Sequence, residues 1–245
     1  SGPRLSVLQD LVGFDQAVWR VAGVSATAEE GVLLAHRSPD GDQGFPGTLD
    51  VMLRVTLGAD GAIGLAYEAR TDRATVLNLT NHAYFNLAGE NAGDVLDTVL
   101  EIAADAYTPT DATLIPTGEV RGLAGTPLDF RSPTAIGARM GDGYDHNYLL
   151  RGGSGLKHAA RATSPRSGIV LDVLTTEPCL QLYTGNFLGP ALRGRDGRPL
   201  CRHAGFCLET QHAPDSPNQP GFPATVLRPG KVYSSHTVYR FATGR

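Results

Sequence analysis

Three short polar segments of the sequence have the composition needed for acid–base chemistry, because each places ionisable side chains among apolar residues. They are Val76–Gly89, Gly143–Tyr148 and Gly205–His212. Buried polar groups must find hydrogen-bond partners, so a dense polar cluster beside an apolar stretch is either a satisfied structural network or a site. The repetition of the pattern in three segments favours a site built from all three.

Glu209 is the strongest candidate for a catalytic group. It ends an apolar stretch, and a carboxylate removed from water resists ionisation unless it has a partner. A carboxyl group perturbed in this way becomes a useful general base near neutral pH. A glutamate that ends a strand and faces solvent fits the sequence equally well, so both interpretations stay open at this stage.

Several other kinds of site lack their sequence motifs. The chain has no G-x-S-x-G turn, no P-loop and no dinucleotide fingerprint. His146 and His158 are twelve positions apart, His203 and His212 are nine apart, and neither spacing matches a metal motif. The sequence therefore predicts neither a metal ion nor an organic cofactor.

Composition indicates an all-β protein. The chain has 245 residues, including Gly 30 and Pro 16, which is turn chemistry in quantity, and we expect a single domain over residues 1–245. The net charge of −4 and the lack of a long basic or apolar run predict no nucleic-acid or membrane partner. Three cysteines without paired spacing predict free buried thiols and a cytoplasmic location.

Period-two alternation is the recurring local signal. The odd positions of Leu49–Leu57 are all aliphatic, and Asp60-Gly61 then predicts a hairpin turn to a partner strand at 63–69. The only helix candidate is 133–140, and the proline-rich segment 211–223 is predicted to be a loop. About a dozen short strands predict an antiparallel sandwich. The other predicted strands are 18–24, 32–36, 76–80, 99–103, 147–151, 158–163, 169–175, 181–184, 206–210 and 233–241.

Beyond these patterns, the chain resembles the aldose 1-epimerases, or galactose mutarotases, over nearly its whole length. Eight landmarks occur in the family's order, which is far more specific than any single motif. The match begins at Gly13-Phe14-Asp15 with Trp19. The eight landmarks are Ser38–Gly41 with Gly44–Gly47; Asn78–His82 with Tyr84–Leu87; Leu114–Gly118; Asp145–Asn147; Gln181 with Tyr183–Asn186; Leu208–Gln211; Asn218–Pro220 with Phe222-Pro223; and Leu227–Gly230.

The resemblance implies a large antiparallel β-sandwich that interconverts the α and β anomers of free hexoses such as galactose and glucose. It gives Glu209 the role of general base and His82 that of general acid. It also implies that Asp145 and Gln181 hold the sugar hydroxyls, and the neighbouring Asn81 and Tyr84 are expected to bind substrate as well. The resemblance implies no metal or organic cofactor, and we expect a monomer or a homodimer.

The N-terminal region departs from the family pattern. Few residues precede Gly13-Phe14-Asp15, and Leu8 stands where the family has a second active-site histidine. An arginine that the family carries further upstream has no counterpart. The chain is therefore expected to be an N-terminally shortened form, either natural, a fragment, or altered in that region.

Three functions remain open on the sequence alone. An active epimerase uses Glu209 and His82 together. A catalytically impaired, sugar-binding homologue is the alternative suggested by Leu8. A glycosidase with Glu209 and Asp145 as its carboxylate pair is the third, although it leaves His82 without a task.

Overall fold

The computed structural model describes residues 13–26 and 30–244, with Ala26 and Glu30 described by their backbone alone. This part of the chain contains sixteen strands, which confirms the all-β prediction. Three short 3-10 helices, at Asp42–Gly44, Ile136–Ala138 and Ser216–Asn218, complete the regular elements of the described residues. In chain order the strands are β1 (Arg20–Ala26), β2 (Glu30–Ser38), β3 (Leu49–Leu57), β4 (Ile63–Thr71), β5 (Thr75–Val76), β6 (Val99–Ile102), β7 (Ala104–Thr108), β8 (Arg121–Gly122), β9 (Thr134–Ala135), β10 (Asp145–Leu150), β11 (Lys157–Thr163), β12 (Ile169–Thr175), β13 (Cys179–Tyr183), β14 (Cys207–Gln211), β15 (Val226–Leu227) and β16 (Tyr233–Thr243).

The described residues divide into two compact units. One comprises the residues up to Leu79 together with Asp215–His236, and the other comprises Thr80–Pro214 together with the residues from Thr237 onward. The first unit contains an antiparallel meander in the order β1-β2-β3-β4 and the small β5–β15 pair. The predicted hairpin is confirmed as β3 and β4, whose register runs from Leu49 opposite Thr71 to Leu57 opposite Ile63.

The core of the first unit explains the alternation of β3. Leu49 and Val51 are buried while Asp50 between them is exposed, as expected for a strand with one covered face. Trp19 packs against this core, and its indole nitrogen donates a 2.8 Å hydrogen bond to the carbonyl of Phe14. The other core members are Ala69, Leu77 and Leu227, with Leu79 and Tyr233 packed against them.

The second unit is a sandwich of two antiparallel sheets. One runs β16-β12-β11-β6-β9 and the other β14-β13-β10-β7-β8. The two sheets are held together by packing and also by hydrogen bonding. The Tyr239 hydroxyl on β16 donates to the carbonyl of Leu208 on β14 at 3.3 Å. Large side chains fill the interior with no solvent exposure; among them are Leu100, Ile102, Leu171, Leu180, Leu182 and Leu208. This interior decides which faces of β10, β13 and β14 are left for function.

The helix predicted over 133–140 is wrong. Thr134 and Ala135 form β9, which pairs with β6, and only Ile136–Ala138 turns as a 3-10 helix. The backbone nitrogens of Ile136 and Gly137 donate to the carbonyls of Thr98 and Leu96. These backbone N–H groups therefore bond to a distant part of the chain and are not available for the hydrogen bonds within a helix.

Two further details differ from the sequence prediction. The strand predicted at 76–80 is only the two-residue β5, and Leu77 adds one further hydrogen bond from its N–H to the Thr225 carbonyl. Beyond it the backbone N–H and carbonyl of Leu79 contact the Tyr233 hydroxyl instead of the backbone of a neighbouring strand. All three cysteines are free, as predicted, but only Cys179 and Cys207 are buried while Cys201 is exposed. No helix in the described part of the chain has the length and hydropathy of a membrane span.

Candidate active site

Strand register creates a polar face on the β14-β13-β10 part of the second unit. Glu209 lies opposite Gln181, and Gln181 lies opposite Asn147 on its other side. Two residues along, Cys207, Tyr183 and Asp145 form a second row in the same way. Because side chains two apart on a strand point to the same side, all six side chains share one face of the sheet.

The opposite face of these strands is the interior of the sandwich. Leu208, Leu182 and Tyr148 alternate with the polar residues, and none of the three is exposed to solvent. All five residues of β14 are buried. The strand is therefore fixed by its apolar side, and this places Glu209, which is 6% exposed, in the floor of the polar face.

His82 comes from an irregular segment clamped beside β14. Phe85 and Phe206 exchange two backbone hydrogen bonds of 2.8 and 3.0 Å, which form an isolated bridge just before the strand begins. Gly205 allows Tyr84 and the segment before Phe85 to lie close to the start of β14. A Cβ atom at position 205 would make a tight 3.3 Å contact with the side chain of Tyr84. The clamp holds the 82–85 segment over the first residues of β14.

The imidazole of His82 contacts two buried groups of β14. Its Nε2 lies 3.4 Å from Oε1 of Glu209, and its Nδ1 lies 3.4 Å from Sγ of Cys207. The side chain of His82 is 28% exposed, whereas that of Glu209 is 8% exposed. An imidazole and a carboxyl group thus meet at the boundary between the sheet and solvent.

The environment perturbs both acids on this face. Burial, followed by the negative charge of Asp145, raises the pKa of Glu209 to about 8. Burial also raises the pKa of the Cys207 thiol, and the nearby charges of Glu209 and Asp145 raise it further. The thiol is consequently neutral near pH 7, and the glutamate exchanges its proton within the physiological range.

Amide side chains supply fixed hydrogen-bonding groups beside Glu209. Gln181 donates from Nε2 to Oδ1 of Asp145 at 2.7 Å, and Asn147 donates from Nδ2 to Oγ1 of Thr108 at 3.2 Å. Gln181 Oε1 and Asn147 Oδ1 are buried and have no hydrogen-bond partner among the described residues. Within the described part of the chain, each amide therefore carries a buried acceptor oxygen without a partner on this side of the sheet.

Aromatic rings form the rim of the same face. The rings of His82 and Tyr84 have centroids 5.1 Å apart, and Tyr84 and Tyr183 are 6.1 Å apart. Tyr84 is 46% exposed, and Phe187, next to Tyr183, is 79% exposed. Such a partly exposed aromatic wall offers an apolar surface beside a polar floor.

A hydrogen-bond network holds the ends of β10 and β13 in place. Thr184 Oγ1 accepts from the backbone nitrogen of Tyr144 at 2.8 Å, and Asn186 Nδ2 donates to the Tyr144 carbonyl at 3.1 Å. Buried His203 lies with Nδ1 2.7 Å from the Thr184 carbonyl. Gly143, at φ +132°, passes so close to Asn186 that any Cβ would meet its side-chain oxygen at 1.9 Å. These contacts set the position of Asp145.

Comparison with known proteins shows the family to which this sequence is related. A family model described as aldose 1-epimerase matches residues 12–240. Human galactose mutarotase is 44% identical over 234 residues, a match covering 94% of this chain and 67% of the human protein. The chain belongs to the aldose 1-epimerase family. The aldose 1-epimerase of Escherichia coli strain K12 is 42% identical over 240 residues, covering 94% of this chain and 68% of that protein.

Solved structures of aldose 1-epimerase relatives show the same fold. A GalM/aldose epimerase homologue from C. elegans superposes with a TM-score of 0.86 at 28% identity, covering 94% of this chain and 70% of that one. A galactose 1-epimerase from Lactobacillus acidophilus gives 0.81 at 27% identity, covering 96% and 69%. The predicted fold class is thus confirmed.

The structure brings most of the sequence-predicted site residues of this epimerase-family chain together. Glu209, Asp145 and Gln181 share the polar face, and His82 and Tyr84 stand over it. Asn81 precedes His82, and its Oδ1 accepts a 3.2 Å hydrogen bond from the backbone nitrogen of Ala83. Leu8 lies outside the described residues.

Sequence reasoning missed Cys207 and Asn147 as members of this face. Cys207 was predicted only to be a buried thiol, although its position two before Glu209 was the signal that both share one side of a strand. Asn147 stands in the same relation to Asp145. Its contact with Gln181 depends on a register that sequence spacing does not reveal.

Proposed function

We propose that the chain is an aldose 1-epimerase that interconverts the α and β anomers of free hexoses such as galactose and glucose. The observation that carries the proposal is the 3.4 Å approach of His82 Nε2 to Glu209 Oε1 on the face that also holds Asp145 and Gln181. Anomer exchange needs one acid and one base at a single acetal-like centre. The identity to galactose mutarotases and aldose 1-epimerases supports the same reaction.

Ring opening uses both groups at once. Glu209 takes the proton from the C1 hydroxyl while protonated His82 gives a proton to the ring oxygen. The C1–O5 bond breaks, C1 becomes an aldehyde carbon and O5 becomes a hydroxyl. One proton has then moved onto the enzyme and one has left it, so the charge balances.

Ring closure reverses the roles. The aldehyde turns about the C1–C2 bond, O5 attacks the other face of C1, His82 takes the O5 proton, and Glu209 returns a proton to O1. A carboxyl group that must alternate between acceptor and donor works best with a pKa near the working pH. A Glu209 pKa of about 8 supports this assignment.

The remaining side chains of the face are proposed to hold the pyranose. Asp145 accepts from sugar hydroxyls while Gln181 fixes its carboxylate and offers Oε1 as a further acceptor. Asn81 is proposed to bind a hydroxyl, and Tyr84 to pack on the apolar side of the ring. Holding the sugar in one orientation lets both proton transfers align.

Polarimetry of freshly dissolved α-galactose tests the proposal directly. The excess rotation should decay faster with the protein than in buffer and reach the same final value, because a catalyst leaves the equilibrium unchanged. His82→Asn should slow this decay by about 10²–10⁴-fold. The matched control is His158→Asn, which changes a histidine paired with Asp172 on the exposed side of β11.

Two results would count against the proposal. A folded protein that leaves the decay at the buffer rate contradicts catalysis. If calorimetry of that protein still shows hexose binding, the chain is a sugar-binding homologue instead. A single mutarotase-like domain over residues 1–245, a monomeric or homodimeric state and a cytoplasmic location stay predictions, and light scattering after size exclusion measures the second.

A further inference from the structure

Three potential metal ligands converge where the irregular 82–85 segment crosses β14. They are His82, Cys207 and Glu209, and one ligand atom from each lies within 4.8 Å of the other two. Cys207 and Glu209 follow His82 by 125 and 127 positions in the sequence, so no short spacing motif predicts the cluster. Among the described residues this is the group of three that meets such a distance.

One ligand atom from each residue lies within 4.8 Å of the other two, a spacing to be compared with that of a tetrahedral zinc site. With Zn–N and Zn–O bonds of about 2.1 Å and Zn–S of about 2.3 Å, neighbouring ligand atoms lie about 3.4–3.6 Å apart. The two 3.4 Å contacts of the imidazole use different nitrogens, Nδ1 to Sγ of Cys207 and Nε2 to Oε1 of Glu209. One nitrogen ligates one ion, so the His82 ring must reorient for the three ligand atoms to close around a cation.

The donor set and its burial suit a borderline-soft divalent cation. Thiolate, imidazole and carboxylate are the three ligand types that zinc uses, whereas Mg²⁺ and Ca²⁺ prefer oxygen alone. Cys207 and Glu209 are fixed in a buried strand, and the partly exposed His82 marks the side from which an ion can enter.

We propose that His82, Cys207 and Glu209 form an inhibitory site for a zinc-class divalent cation. Binding displaces the protons of the Cys207 thiol and the Glu209 carboxyl into solvent and forms metal–sulfur, metal–nitrogen and metal–oxygen bonds, with no change of oxidation state. The inhibitory part rests on the proposed function, because the ion occupies the two groups that transfer protons. The binding part does not.

Cobalt(II) is the probe, because a thiolate bound to cobalt gives a charge-transfer absorption that a site without sulfur lacks. Titration of the reduced, metal-free protein with Co²⁺ should produce this band at one equivalent, and Zn²⁺ should remove it by displacement while Mg²⁺ should not. Cys207→Ser keeps the size of the side chain and should abolish the band. Cys201→Ser and Cys179→Ser, which change the exposed and the other buried thiol, should keep it.

Several outcomes overturn the site. They are no band, a band that survives in Cys207→Ser, or a band lost in Cys201→Ser. His82→Asn provides a second test should Cys207→Ser fail to fold, and it should weaken cobalt binding by about tenfold or more.

Activity then tests the inhibition separately. Zn²⁺ should slow epimerisation of α-galactose in Cys201→Ser as in the original protein. A cobalt band without any inhibition by Zn²⁺ overturns the inhibitory role while leaving the binding site. A band from a protein that never epimerises contradicts the proposed function instead.

Discussion

Gln181 and Asp145 are joined by a 2.7 Å hydrogen bond from Nε2 to Oδ1 across the pairing of β13 with β10. Gln181 is also the residue directly opposite Glu209 on β14. The amide therefore keeps the Asp145 carboxylate on the same face as Glu209, the proposed general base, where the negative charge of Asp145 helps to raise the pKa of Glu209. A residue proposed to bind the sugar thus also tunes the proposed catalyst.

The pH dependence of activity follows from this coupling. The kcat/KM for α-galactose should fall as the pH drops through about 8, because protonation of Glu209 removes the base. Asp145→Asn removes the neighbouring charge, so Glu209 becomes more acidic and the acidic limb should move to lower pH. A limb that stays in place in Asp145→Asn, in polarimetric assays across the pH range, contradicts the coupling.

Removing the base should cost more than removing the binding carboxylate. Glu209→Gln keeps the shape of the side chain but has no basic oxygen, and kcat should fall by about 10²–10⁴-fold. Asp145→Asn should raise KM and lower kcat by a smaller factor. The variant loses a hydrogen-bond acceptor for the sugar, but Glu209 is still present to take the proton from the C1 hydroxyl. Equal losses of kcat in the two variants, both shown to be folded by circular dichroism, would remove Glu209 from its assigned role.

Glu209 should also make the protein less stable in alkali. The pKa of the Glu209 carboxyl is 4.5 in the unfolded chain and about 8 in the folded protein, so the folded state favours the protonated form. Stability from this preference is complete below pH 4.5 and is lost as the pH rises to about 8. Glu209→Gln mimics the protonated group and should be the more stable protein at pH 9, by at most about 5 kcal/mol.

Urea unfolding at pH 5 and pH 9 measures the effect. The advantage of Glu209→Gln should appear at pH 9 and shrink at pH 5. Glu119→Gln, which changes an exposed carboxylate paired with Arg121, is the control and should show no comparable change. An advantage independent of pH would mean that ionisation is not its cause.

Gly143 and Gly141 form a matched pair for the loop before β10. Gly143→Ala puts a Cβ at 1.9 Å from the Asn186 oxygen and at a φ of +132°, so it should destabilise the fold by about 2 kcal/mol or more and disturb Asp145. Gly141→Ala meets nothing within 4 Å and should change stability by about 0.5 kcal/mol or less. Thermal unfolding of the two variants gives the comparison, and equal melting temperatures contradict it.

The sequence was enough to predict the strands whose alternation is strong, but it left the burial of the candidate base open. Leu49–Leu57 is predicted to be a strand with one buried face because each odd position is aliphatic. Glu209 follows an apolar stretch, but only the structure shows that all of β14 is buried. These signals are local, so they survive without any knowledge of partners. The family resemblance added the pairing of Glu209 with His82.

Long-range pairing could not be predicted from local pattern. The two-residue strands β5, β8, β9 and β15 are too short to show an alternation of apolar and polar residues. One of them, β9, lies inside the segment 133–140 for which the sequence predicts a helix. The contact of Cys207 with His82 spans 125 positions and depends on the Phe85–Phe206 bridge. Register, not residue type, places Asn147 beside Gln181.

The bridge between Phe85 and Phe206 also bears on how such a protein tolerates insertions. A slip of one residue in β14 would turn Leu208 outward and carry Glu209 into the interior. The bridge fixes the backbone at Phe206, directly before β14 begins. We therefore expect insertions or deletions upstream of Phe206 to leave the register of β14 unchanged. The exposed turn at Gly194–Gly197 is therefore a place where the chain can gain or lose residues while the base stays where it is.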